Sequence, residues 1–187
     1  GMTNAARIGF DREKLIYVTF GAAEEDMFPA GDAATGTYAM ANALPGDQFP
    51  LVQSIKETVY GAGKGNLAED SRIGTVYWNR GLGAAVTYIE ALRVAQEMHD
   101  KVGKAVTGAE FRAGYENLVM DDARLEELGI KGMIAPFAMS CAENAGAGKF
   151  AMMQWDGEKF QQVSDWEEPL DPTYIRGLVE ASAAKFA

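Results

Sequence analysis

The chain has 187 residues, 48% of them apolar and 10% aromatic, enough for one ordinary domain or two small lobes around a hydrophobic core. Lys and Arg number 17 and Asp and Glu 27, a net charge of −10, which excludes binding driven by phosphate neutralisation, on nucleic acid or on an anionic membrane surface. The single cysteine, Cys141, excludes an internal disulfide and a thiolate metal cluster, and His99 is the only histidine.

In chain order the elements mix α and β. Residues 5–9 read as the last turn of a helix stopped by Gly9. Residues 3–10 have neither the basic start nor the apolar core of a signal peptide, and no run approaches the ~18 apolar residues of a membrane span. Residues 15–20 are β-branched and aromatic and read as a buried strand closed by Gly21. Residues 24–31, punctuated by Pro29 and Gly31, read as a loop, and residues 37–44 as a second strand ended by Pro45-Gly46. Pro50 suits a first helical turn. Leu51, Val52, Ile55 and Val59 share one face of that helix, and Gly61 and Gly63 stop it.

Residues 73–78 read as extended, leading into the longest helical pattern of the chain. There Leu82, Ala85, Val86, Ile89 and Leu92 repeat at helical spacing, while Glu90, Arg93 and Glu97 mark a solvated face. His99 falls at the helix C-terminus, where the dipole favours it. Thr107 and Glu110 form a capping box for a helix that presents Phe111, Tyr115 and Leu118. Residues 124–128 make a short helix stopped by Gly129, and residues 133–140 are extended. Asp156-Gly157 predicts a two-residue type I′ hairpin between residues 149–155 and 158–164, with Met153 opposite Phe160 and Phe150 opposite Val163. Trp155 and Trp166 read as packing residues beside it. Asp171-Pro172 opens a last amphipathic helix through Ile175, Leu178, Val179 and Phe186.

Most catalytic motifs fail. In Gly61-Ala62-Gly63-Lys64-Gly65 a glycine stands where a phosphate loop needs Ser or Thr, and a helix precedes it where a strand should. Gly81-Leu82-Gly83-Ala84-Ala85-Val86 lacks the last glycine of a dinucleotide fingerprint. Gly-x-Ser-x-Gly is absent, and His99 would have to serve any triad or any pairing with Cys141. Two segments keep a functional reading. Glu24-Glu25-Asp26 follows a strand's carboxyl end: it is either a solvated loop or a receptor for a ligand ammonium. Tyr77-Trp78-Asn79-Arg80 is either an aromatic anchor capped by Asn79 or the wall of a small-molecule pocket.

Several of these segments together resemble a known family. They are Tyr77-Trp78-Asn79-Arg80-Gly81 with its helix through Glu90 and Gln96, Thr107-Gly108, and Leu128-Gly129-Ile130-Lys131-Gly132-Met133. Ser140-Cys141-Ala142, Gln154-Trp155-Asp156-Gly157 and Val163-Ser164-Asp165-Trp166 continue the likeness, with Gly21 to Asp26 and Pro29-Ala30-Gly31 near the start. Over about residues 4–169 the chain resembles the C-terminal half of ABC-transporter substrate-binding proteins of the branched-chain amino acid group, a type I periplasmic binding fold.

The resemblance implies an α/β chain carrying parts of two lobes joined by crossover strands. Residues 1–41 would belong to the C-terminal lobe, 42–148 to the N-terminal lobe, and 149–187 to a crossover hairpin and final helix. It implies a solute-binding component, or fragment, of an importer for branched-chain amino acids or related small carboxylates, with no catalysis, cofactor or metal. An ABC permease would be the partner and the periplasm the location, or the cytoplasm if Met2 is the true start. The rival expectation is a truncated homologue with a structural role. Ligand contacts are expected from Phe20, Gly21, Glu24 and Glu25, facing Tyr77, Trp78 and Asn79. Uncovered strand edges and helix faces would favour a homodimer.

Overall fold

A computed structural model describes residues 1–11, 16–67, 70–144, 146, 148–168 and 172–186. In chain order the elements are α1 (Met2–Arg7), β1 (Val18–Phe20), α2 (Glu24–Met27), a 3-10 segment (Phe28–Ala34), β2 (Tyr38–Ala41) and α3 (Pro50–Ile55), which widens into a π turn (Lys56–Tyr60). The long α4 (Val76–Met98) follows, then α5 (Gly108–Glu116), β3 (Val119–Met120), α6 (Asp122–Glu127), β4 (Phe137–Ala138), β5 (Ala151–Trp155), β6 (Phe160–Gln162) and α7 (Pro172–Ala183).

The main sheet runs β1-β2-β5-β6, with β1 parallel to β2 and the other pairs antiparallel, while β3 and β4 form a small antiparallel pair. In β5 every second residue is fully buried (Ala151, Met153, Trp155), as the pleat requires of a strand with one face on a core. These side chains join Met27, Leu44, Val76 and Phe160 in one hydrophobic cluster. A second cluster gathers Val52, Val86, Leu118, Met120, Leu125, Ile130 and Met133 between α3, α4 and α6.

Local signals hold where a few consecutive residues decide the outcome. The capping box of α5 is made, with Thr107 accepting from the Glu110 N–H and Glu110 from the Thr107 N–H. Gly9 and Gly129 take left-handed φ at the ends of α1 and α6, and His99 follows the last residue of α4. The expected strand at residues 15–20 is described from Ile16 on, and its β portion, Val18–Phe20, is an exposed edge rather than a buried strand, with Phe20 79% exposed. Leu15 and Asp171 lie outside the described residues.

Residues 24–34 are helical turns with a kink at Gly31 (φ +52) rather than a loop, and Asp26 accepts from the Ala23 N–H and caps the first of them. Residues 76–78, expected extended, already belong to α4, and its N-cap is Thr75, not Asn79. Of residues 133–140 only Phe137–Ala138 pairs as a strand.

Two differences concern packing. The buried stripe of α4 is Val76, Asn79, Gly83, Val86, Glu90, Ala91 and Ala95, whereas Ile89 and Leu92 face outward. Gly114 of α5 sits so close that a Cβ there would meet the Ala91 carbonyl at 2.3 Å, so the small-residue face of α4 is the one that docks. Glu90, expected on a solvated face, is only 3% exposed because Arg124 and Arg93 meet it. The hairpin register is also shifted. Trp155 pairs with Phe160 and Met153 with Gln162, across a four-residue loop. That loop closes around Asp156, whose carboxylate accepts from the Glu158 and Lys159 N–H groups at 2.8 and 2.9 Å. A hydrogen bond from Gln161, with these two backbone bonds, holds its carboxyl down at about 2.

Candidate binding cleft

The turn out of β1 brings the acidic segment to the start of α4. Gly21 has φ +71, a left-handed turn that an L side chain would resist, and its N–H donates to the Met40 carbonyl at 2.9 Å. The chain then enters α2, whose first turn meets the N-terminus of α4 through three hydrogen bonds. The Val76 N–H donates to Glu24 Oε2 at 2.9 Å, the Thr75 hydroxyl to Glu25 Oε1 at 3.2 Å, and the Tyr77 hydroxyl to Asp26 Oδ2 at 2.7 Å. Carboxylates at a helix N-terminus answer its unpaired N–H groups and its dipole. Burial is the larger influence on Glu24 all the same, and it pushes the carboxyl above its ordinary range against the Val76 hydrogen bond.

Glu24 also lines a cleft of about 720 Å³. One wall is Phe28 with Phe160 and the hairpin residues Glu158, Lys159, Gln161 and Gln162. The other is Leu44 to Phe49 with Ile73, Gly74 and Thr75. That second wall depends on a close backbone approach. The Gly46 N–H donates to the Gly74 carbonyl at 2.7 Å, and a Cβ on Gly74 (φ +89) would stand 2.9 Å from Gly46 and Asp47 backbone atoms. Lys56 pairs with Asp47 at the rim, and its hydrogen bond holds the Asp47 carboxyl below the usual range. The cleft thus offers three aromatic rings, one buried carboxylate with coordination to spare, and a lysine on the hairpin. Such a mixture receives a small molecule with an apolar body and a charged end.

The seven residues singled out from the sequence are distributed as follows. Glu24 lines the cleft. Glu25 lies beside it, held by Thr75, with its Oε2 buried and unpartnered. Phe20 and Gly21 line a separate cavity of about 490 Å³ that also contains Asp26 and Tyr77. Trp78 packs against the second hydrophobic cluster. Asn79 is fully buried, its Nδ2 donating to the Leu44 and Gly46 carbonyls at 2.8 and 2.9 Å, so it ties α4 to the cleft wall from behind. Phe28, Phe49, Thr75, Lys159 and Phe160 were not legible as site residues. They are scattered over more than a hundred positions and share no local motif. Among the described residues no group of three His, Cys, Asp or Glu could hold a metal ion, and no helix is long and apolar enough to cross a membrane.

No family model matches the chain, and no curated protein matches it in sequence. Solved structures do. A protein described as an ABC transporter permease from the Pseudomonas fluorescens group is 34% identical at TM-score 0.88, over 100% of this chain and 44% of that one. A branched-chain amino acid ABC transporter from Thermus thermophilus with bound valine gives 0.68 at 20% identity, over 90% of this chain and 42% of its own. An ABC transporter solute-binding protein from R. palustris in complex with benzoate gives 0.54 at 12% identity, over 90% and 41%. The chain spans less than half the length of each.

Proposed function

We infer that this chain, which has the α/β architecture of part of an ABC-transporter substrate-binding protein, binds a small amino acid or related carboxylate in the cleft floored by Glu24. The observation that carries the reading is a buried carboxylate presented to a 720 Å³ cleft among Phe28, Phe49 and Phe160. Glu24 receives the ligand ammonium on the valences its Val76 bond leaves open, the rings cover the apolar part, and Lys159 or a backbone N–H takes the carboxylate. The valine and benzoate complexes of similar structures support this class of ligand. In the whole importer the partner is a permease and the location the periplasm. Exposed Val18 and Phe20 on β1 and Tyr88 and Ile89 on α4 support pairing with a second copy.

Because the chain supplies only part of the enclosure found in proteins twice its length, the affinity expected is millimolar, about 4 kcal/mol. Titration calorimetry with L-valine and with isovalerate tests the reading. L-Valine should bind better, and Glu24→Gln should remove that preference while leaving isovalerate unchanged. Lowering the pH should weaken L-valine as Glu24 takes up its proton, which its raised pKa brings closer to neutrality. Nanomolar affinity, or L-valine binding indifferent to Glu24→Gln, would refute this site. A structural role without ligand affinity is favoured by the bonds Glu24 and Glu25 already make to α4, and it predicts no L-valine heat at all.

A further inference from the structure

The outward face of α4 is apolar where a solvated helix carries its charges. Between Gly81 and Leu92 the exposed positions are Gly81, Ala84, Ala85, Tyr88, Ile89 and Leu92, and the Tyr88 hydroxyl is their one polar side-chain group. They recur at i, i+3, i+4, i+7, i+8 and i+11, a single stripe about 16 Å long. Tyr88 is 57% and Ile89 64% exposed, and a Cβ on Gly81 would meet nothing within 4 Å. The exposed positions of α6, by contrast, include Asp122, Glu126 and Glu127. Phe111 and Tyr115 of α5 hold the Tyr88 ring from one flank, at centroid distances of 6.5 and 6.0 Å, and leave its outer edge bare. A contiguous apolar face on so acidic a chain marks a contact surface.

The stripe is graded, with small residues in its first half and large ones in its second. Its match must be large where it is small and small where it is large. The same stripe run in the opposite direction meets that requirement. About a two-fold axis passing between Val86 and Thr87, Gly81 faces Leu92 of the second copy, Ala84 faces Tyr88 and Ala85 faces Ile89, so every knob meets a hole. A parallel pair would instead set Tyr88 against Tyr88 and leave a gap at Gly81.

We propose that α4 is the homodimer contact of this chain, two copies packing antiparallel along the stripe. This rests on the pairing with a second copy inferred above and places it on α4 rather than on the β1 edge. Asn79 and Glu90 point the other way, into the body of the protein, so the Glu24 cleft stays open in the dimer. Covering the stripe twice removes on the order of 1,000 Å², the threshold of a specific interface, and a dissociation constant on the order of 10–100 µM follows.

Sedimentation equilibrium of the full chain between ~5 µM and ~0.5 mM should show 20.2 kDa monomers exchanging with dimers. The dimer should tighten as salt rises, because each copy carries −10 and the stripe has no ion pair to lose. Ile89→Glu should weaken it at least about a hundredfold, since both copies carry the change. Ala85→Leu adds apolar surface but fills the hole for Ile89, so it should weaken the dimer at least about tenfold, where unspecific adhesion would strengthen it. L-Valine binding should be unchanged in both variants. In a Cys141→Ser background, Gly81→Cys chains mixed with Leu92→Cys chains should oxidise to a mixed dimer. Either alone should not, its two cysteines lying about 16 Å apart along the axis, and this readout stands even if Ile89→Glu fails to fold. A parent that stays monomeric at ~0.5 mM overturns both the stripe and the pairing. A dimer that survives Ile89→Glu and Ala85→Leu, or is lost in Phe20→Glu, overturns the α4 contact alone. Self-linking of Gly81→Cys or Leu92→Cys chains overturns the antiparallel register.

Discussion

Replacing Arg124 by Leu should be among the more damaging single changes in the protein. Glu90 sits 3% exposed in the α4 stripe, and Arg124 forks it, with Nε to Oε2 and Nη2 to Oε1 both at 2.7 Å, while Arg93 adds one bond at 3.0 Å. Burial works to raise the Glu90 carboxyl, and the bonds from the two arginines outweigh it and hold it below its ordinary range. Removing one partner of a buried pair typically costs about 3–5 kcal/mol. Here Arg93 remains and Arg124 is itself 28% exposed, so about 2–3 kcal/mol is expected, roughly 5–10 °C in Tm.

Glu90→Gln should cost about 1 kcal/mol, because Arg124 keeps Glu127 and water. Converting both Glu90 and Arg124 to Leu should return most of the loss, since an apolar pair replaces an ionic one at similar volume. Urea unfolding followed by circular dichroism at neutral pH measures all three. An Arg124→Leu loss below about 1 kcal/mol, or a double variant no more stable than Arg124→Leu alone, would refute the view that the pair is a desolvated unit.

Two further outcomes follow from the packing and the caps. Gly114→Ala should destabilise by about 1–3 kcal/mol, because the new methyl would lie 2.3 Å from the Ala91 carbonyl and overpacking outweighs a helix-propensity gain of about 1 kcal/mol; Gly81→Ala, open to solvent, should show only the gain. Glu110 is held down at about 2 by Lys101 and the Thr107 N–H, so it binds fewer protons folded than unfolded; its contribution is complete above its ordinary value of 4.5 and disappears as the pH falls from there through about 2. Carboxyl NMR titration should place Glu110 at the low end of the glutamates, and Lys101→Ala should move it up. A Glu110 midpoint near 4.5 in the parent would contradict the contact.

What could be read from the chain alone was set by neighbours in sequence. Thr107 and Glu110 cap α5 because they stand three residues apart, Gly129 ends α6 because its φ is positive, and Pro50 opens α3 because it needs no N–H partner. The likeness to a substrate-binding fold rested on many such short segments in order, and the architecture agrees with it. The hairpin shows the limit. Asp156-Gly157 marked its position, but the Asp156 carboxylate closes a longer loop and shifts every cross-strand pair.

The rest was decided by contacts between distant residues. Periodicity identified α4 as a helix but not the side that docks, because close approach to Gly114 favoured Ala91 and Ala95 over the larger Ile89 and Leu92. Glu90 became a buried charge only when Arg124, 34 positions on, came to meet it. Glu24 became both a cap for α4 and the floor of a cleft only when folding brought Val76, 52 positions on, against it. Desolvation and close packing depend on the separation of groups in space, and residue spacing along the chain carries that separation only within a helical turn or a tight loop.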